Sequence, residues 1–245
     1  MTTVPQYFAI VDDSTKWALE DASIAALLLE KGGITLADVQ GIRLLLPKGQ
    51  HAWAGAQAAG GPKVQATQLL QAGVEGVKFE MSDLRNMMHN NLPPRDPLFT
   101  QLGLVDKAPG KQDEILAYAV RTFTNGKNLT EAEIAPLAKH KWDLARFSSA
   151  LTRAEAAQAA NDQQEGAKAN AKAATDAVYN QIDQIDVLFR PFAKDARRVL
   201  EKVPGALDKM QLAKGVPAKP LRPSAYTRKA KSTPGNKGQR EGQSE

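Results

Sequence analysis

The chain has 245 residues, 42% of them apolar and 6% aromatic, which suits a soluble core built from helices with small interfacial side chains rather than a β-sandwich. It contains no cysteine, which excludes disulfides, thiolate chemistry and Cys-ligated zinc or iron–sulfur centres. The formal charge of +5 is uneven, because residues 213–245 hold eight Lys or Arg against two acids; the tail is +6 and the rest of the chain −1, so any polyanion reading rests on the tail.

In chain order, residues 1–12 (MTTVPQYFAIVD) read as a short apolar lead lying along a helix surface, with Pro5 near its start. The stretch up to Trp17 lacks a basic region followed by an apolar one, so the expected location is the cytoplasm. Residues 13–104 form a first helical unit. Asp13 or Ser14 caps a helix carrying Trp17, Leu19, Ile24, Leu27 and Leu28, which stops at Gly32-Gly33. Thr35, with Asp38 three residues on, caps the next helix. Gly60-Gly61-Pro62 reads as a hairpin turn. After it, Leu70, Val74, Val77, Met81, Leu84, Met88 and Leu92 recur at spacings of three and four, one apolar stripe on an α-helix. Pro93, Pro94 and Pro97 end that stripe before the short segment LFTQLGL.

Residues 105–110 link this unit to a second one, 111–212. Its opening helix carries Ile115, Leu116, Tyr118, Ala119 and Phe123. Thr130 and Glu133 repeat the Thr35 and Asp38 cap 95 residues later. Asn128-Leu129-Thr130 also spells a glycosylation acceptor, and without a secretion signal the capping role is preferred. The second stripe comprises Val178, Ile182, Ile185, Leu188, Phe189, Phe192, Ala196, Val199 and Leu200, with Pro191 expected to kink it. Pro204-Gly205 and ALDKMQL close the unit. Stripes and closures match at an offset of 108 whereas the caps match at 95, which implies 13 extra residues in a longer second hairpin turning near residues 161–166. From Ala213 onward prolines, glycines and basic residues replace any apolar period, so 213–245 are expected to be a disordered basic tail.

The pair of units, with its best signatures at 97–104 and 187–212, resembles a group of duplicated, all-helical bacterial proteins of uncharacterised function. The resemblance covers about Trp17 to Leu212 and implies a fold without carrying over any catalytic or binding residue; Gln211 stands where that pattern has its second closing glycine. The expected fold is all-α: two tandem helical-hairpin units packed as an elongated bundle.

Candidate chemistry is sparse. The histidines are His51, His89 and His140, and the residues three before them are Lys48, Asn86 and Leu137, so the Glu-x-x-His pairs of di-iron bundles are missing. Zinc-helix, phosphate-loop and nucleophile-elbow motifs are missing too. Met87-Met88-His89 offers soft axial ligands, but Met88 continues the stripe and reads as core. Lys139-His140-Lys141-Trp142 offers a cation beside an indole, or simply a solvated helix face with one buried ring edge. In the tail, Lys219, Arg222, Arg228, Lys229, Lys231, Lys237 and Arg240, with Tyr226 among them, can contact a polyanion through counterion release. A solubilising terminus is the preferred reading, since one tyrosine makes a poor stacking platform. The expected function is a non-enzymatic structural or interaction protein that contacts itself or a protein partner. The alternative is an accessory protein binding nucleic acid non-specifically through the tail. No cofactor, catalytic residue, metal ligand or membrane span is expected.

Overall fold

The structure is a computed structural model describing residues 2–104 and 108–223. Among the described residues every regular element is a helix, and no helix is long and apolar enough to cross a membrane.

The chain begins with a capping box. Thr3 Oγ1 accepts the Gln6 N–H at 3.4 Å, Gln6 Oε1 accepts the Thr3 N–H at 3.0 Å, and Pro5 sits in the first turn, where its missing donor costs nothing. Helix α1 (Val4–Glu20) follows, burying Tyr7, Phe8, Val11, Ser14, Thr15 and Ala18. Residues 1–12 are therefore no separate lead. Ser14 is no cap either: it lies mid-helix, and its buried hydroxyl donates to the Met210 carbonyl at 2.6 Å. Asp21 caps α2 (Ala22–Gly32) by accepting the Ser23 and Ile24 N–H groups, and the helix ends as expected at Gly33, whose φ of 63° suits a residue without a Cβ.

Helix α3 (Leu36–Asn91) is 56 residues long and runs through Gly60-Gly61-Pro62 without a turn. After the short α4 (Pro97–Gln101) come α5 (Gln112–Lys127), α6 (Glu131–Ala138) and α7 (Leu144–Leu200). The last of these is 57 residues long and passes uninterrupted through 161–166. A final turn, α8 (Ala206–Lys209), closes the helical part. Neither expected hairpin exists. The physical reason lies in the phase of the seams. In α3 the positions Val39, Leu46, Trp53, Gly60, Thr67, Val74, Met81 and Met88 repeat every seven residues, as do Ile42, Gly49, Ala56, Lys63, Leu70, Val77 and Leu84. In α7 the same is true of Ala154, Asn161, Lys168, Thr175, Ile182, Phe189 and Ala196, and of Ala157, Gln164, Ala171, Val178, Ile185 and Phe192. These are the seam positions of a coiled coil, and although Thr67 and Lys168 are exposed, the buried positions of each helix keep one phase on either side of its small and polar middle. Turning at Gly60-Gly61 would forfeit that continuity, against the ~3 kcal/mol that a proline costs inside a helix.

By contacts the chain divides into two compact units: Met1–Trp53 with Asp176–Glu245, and Ala54–Thr175. In the second unit the two long helices pair antiparallel. Gln164 donates to Thr67 at 3.1 Å, a Cβ on Gly73 would meet that of Ala157 at 3.0 Å, and Arg153 and Arg146 meet Glu80. Its core adds Leu98, Phe99 and Leu102 around α4, Leu116, Ala119 and Phe123 from α5, and Leu137, Trp142 and Phe147. In the first unit Gly49 faces Phe8 and Ile185, and Gly32 faces Val199, again antiparallel. Phe189 is fully buried there, with its ring 6.2 Å from that of Tyr7 in an edge-on arrangement.

One shift of 108 carries Leu36 to Leu144 and Val4 to Gln112, the first residues of α3 and α7 and of α1 and α5. The same shift carries the buried Phe8, Val11, Ser14, Thr15 and Ala18 to the buried Leu116, Ala119, Thr122, Phe123 and Gly126. Thr35 does not correspond to Thr130. Its counterpart is Asp143, whose carboxylate accepts the Arg146 N–H at 2.8 Å as Thr35 Oγ1 accepts that of Asp38 at 3.2 Å. Thr130, in a capping box with Glu133, starts α6 as Asp21 starts α2. With the caps realigned the 13 extra residues vanish, and α3 and α7 are alike in length. The closures match as well: Leu104 N–H donates to Phe99 and Leu212 N–H to Leu207, across Gly103 and Gln211 with φ of 72° and 55°.

Candidate interaction groove

An open, largely apolar groove of the first unit lies between the start of α3 and the later turns of α7. Asp38 Oδ2 accepts the Thr35 N–H at 2.9 Å and its hydroxyl at 2.6 Å, which holds the carboxyl below the usual carboxylate range and fixes the first turn. On the outward side of that turn stand Ala37 and Gly41, and a Cβ on Gly41 would meet nothing within 4 Å. Opposite them Pro191 occupies an exposed position within α7, so its ring lies at the surface. Val187 is 71% exposed and Leu188 45% exposed. Leu188 was expected on the buried stripe; it lies outside the seam because Ile185 and Phe189 already fill the inward positions around it. Together these residues, with Ile34, Phe192 and Asp195, line a groove of about 440 Å³. Leu44, 74% exposed, lies one turn beyond Gly41.

The corresponding place in the second unit is occupied by the protein itself. The shift of 108 converts Ile34, Asp38, Leu188 and Pro191 into Trp142, Arg146, Glu80 and Asp83. There the Arg146 guanidinium bonds Glu80 at 3.1 Å and Asp83 at 2.7 Å and lies 4.1 Å above the Trp142 ring. Trp142 Nε1 donates to Asp83 at 3.0 Å, and Arg153 bonds the second Glu80 oxygen at 2.5 Å. A buried indole and a doubly paired cation thus fill the space that is open in the first unit. Lys139-His140-Lys141-Trp142 accordingly presents no cation-and-indole surface, since Trp142 is fully buried and Lys139 and His140 are exposed beside it.

Of the basic candidates, Lys219 and Arg222 are the two within the described residues. Residues 213–216 turn and bend after α8, and 219–222 lie against α7, so the boundary expected at 213 for a disordered tail is too early. Pro217 and Pro220 are buried, Lys219 pairs with Asp183, and Arg222 pairs with Asp176 at 3.2 Å and stacks 5.6 Å from the Tyr179 ring. The Tyr179 hydroxyl donates to the Leu221 carbonyl at 3.0 Å. Both cations are neutralised by carboxylates of the same chain. Arg228, Lys229, Lys231, Lys237 and Arg240, with Tyr226, lie outside the described residues.

The histidines do not converge, and among the described residues no group of three or more His, Asp or Glu is placed to hold a metal. His89 lies 5.1 Å from the Phe99 ring, next to the end of α3, and Met88 is fully buried. A separate polar cluster joins Tyr7, Asp186 and Arg190: the Tyr7 hydroxyl donates to Asp186 at 3.0 Å and Arg190 bonds both Asp186 oxygens at 3.0 and 3.1 Å. Burial, and then the Asp186 charge, push the Tyr7 phenol above its ordinary range. It is a packing device, since a fully buried phenol whose hydroxyl is already bonded has no solvent-facing proton to offer. No family model, curated protein or solved structure matches the chain.

Proposed function

We propose that the protein is a non-enzymatic helical scaffold, whose first unit receives a polypeptide segment of a partner in the groove between α3 and α7. The observation that supports this most is the contrast at corresponding positions: four residues close the space in the second unit, whereas in the first the counterparts Leu188 and Pro191 are exposed. The groove's small floor residues, Ala37 and Gly41, would let another backbone approach closely. A role for Arg228, Lys229, Lys231, Lys237 and Arg240 on nucleic acid is the competing proposal, and it loses support from the pairing of Lys219 and Arg222.

The test is photo-crosslinking in extract of the source cells, with a benzoylphenylalanine placed at Val187 in the groove and, as control, at Lys172. Light-dependent polypeptide adducts specific to Val187 are expected, their mass separating a second copy from a different chain. Equal labelling at the two positions, or none at Val187, would contradict the proposal.

A further inference from the structure

Resting on that reading, we infer that the groove takes a partner segment presenting a large aromatic side chain one helical turn from an arginine or lysine. The internal counterpart supplies the argument. Where the second unit fills this space it uses a Trp and an Arg four residues apart, the guanidinium lying over the indole, and it supplies Glu80 and Asp83 as acceptors. The first unit has the complementary deficit. Ile34 stands in place of the indole and is smaller, Leu188 and Pro191 replace the two acids, and among the described residues that line the groove none replaces the cation.

The acceptors for a visiting cation are still present, in a different place. Asp38 and Asp195 both line the groove. Asp38 accepts both Thr35 cap bonds on Oδ2, so a visiting donor can approach Oδ1 without competing for the same oxygen. Asp195 is 47% exposed in its side chain, and its pairing with Arg198 is long, at 3.6 Å. The lining between them is apolar, from Ile34, Ala37, Leu188 and Pro191. An aromatic face can cover that lining while an adjacent cation reaches the carboxylates, the mixed anchor that tight protein interfaces favour. The chain's own C-terminal segment is a poor occupant in cis. Residues 219–222 run backward along α7, from Asp183 to Asp176, so Pro223 lies about 15 residues, or about 22 Å, from the turn carrying Pro191. About seven extended residues are needed to return that distance. Beyond residue 230 the sequence KSTPGNKGQREGQSE has no aromatic side chain.

The probe is a displayed library of random twelve-residue peptides, selected on the full chain and counter-selected on V187E, an exposed substitution that leaves the core intact. Enriched peptides should pair Trp, Phe or Tyr with Arg or Lys at a spacing of three or four, in either order. Their binding should fall about two- to fivefold with D38N or D195N, the fold-change of about 0.4–1 kcal/mol for an exposed ion pair. Asn at 38 keeps the cap, and circular dichroism of each variant verifies the fold. Peptides that lose binding on V187E but lack the basic residue, or ignore D38N and D195N, would overturn the inferred chemistry and leave the groove standing. Enrichment insensitive to V187E, or none, would overturn both.

Discussion

Gly126 in α5 offers a severe test of the core, because the structure gives opposing forces whose balance can be worked out. Alanine in a helix interior is favoured over glycine by about 1 kcal/mol. A Cβ at Gly126, however, would lie 2.2 Å from both Cδ1 and Cε1 of Phe147 and 2.7 Å from its Cγ. Carbon atoms pack at about 3.5–4.0 Å, so the ring must move by more than 1 Å. It has little room: Phe147 is fully buried, with its ring 5.0 Å from Trp142, which is itself stacked 6.1 Å from Phe123. Forcing extra methyl groups into such a site costs about 1–3 kcal/mol, so G126A should destabilise by up to about 2 kcal/mol net of helix propensity. The corresponding positions in the first unit are Ala18 and Val39, both buried, an alanine with a smaller neighbour. F147V alone leaves a cavity and should cost about 2–4 kcal/mol. In the double variant the new methyl enters that cavity, so the loss should fall short of the sum by at least about 1 kcal/mol. Urea denaturation of the four proteins measures this. Additive losses, or a G126A variant more stable than the parent, would refute the packing derived for α5 and α7.

Two further outcomes follow from buried hydroxyls. Ser14 donates to the Met210 carbonyl, whereas its counterpart Thr122 has a buried Oγ1 without a hydrogen-bond partner. S14A should therefore cost about 1 kcal/mol and T122V should be neutral or stabilising by a similar amount, both read from denaturation midpoints. The Tyr7 phenol is held above its ordinary value, so between that value, about 10, and its folded one the unfolded chain loses a proton that the folded chain keeps. Stability should accordingly decline above about pH 10, by up to ~1.4 kcal/mol per pH unit from this group, and Y7F should flatten that part of the profile. Parallel profiles for parent and Y7F would contradict the assigned burial and hydrogen bond.

What could be read in the sequence was whatever depends on the spacing of apolar side chains. Val74, Val77, Met81, Leu84 and Met88, and Ile182, Ile185, Phe189 and Phe192, are buried as their period requires. What misled were local devices with more than one use. Capping boxes start helices of any register, so the likeness of Thr35 and Thr130 carried no alignment, and the offset of 108 read from the stripes and closures is the one that the buried faces of α1 and α5 follow. Gly60-Gly61-Pro62 is locally a strong break, yet helix phase is a property of the whole seam, and Leu46, Gly49, Leu70 and Val74 remain in step across it. Helix α1 divides between the expected lead and the helix expected to be capped at Asp13 or Ser14, although Thr3 and Gln6 spell its capping box and Tyr7, Phe8, Val11 and Ala18 its buried side. The groove could not be read in the sequence at all, because it consists of what Ile34, Gly41, Leu188 and Pro191 fail to fill.

Absence of native cysteine makes the decisive measurement simple. Spin labels on cysteines introduced at the exposed Ala54 and Gln68 flank Gly60-Gly61-Pro62 within the second unit. A continuous α3 places their Cα atoms 14 residues apart along one helix, about 21 Å by dipolar spectroscopy. A distance near 10 Å, the separation of two packed helices joined by a turn, would show that α3 folds back at this point.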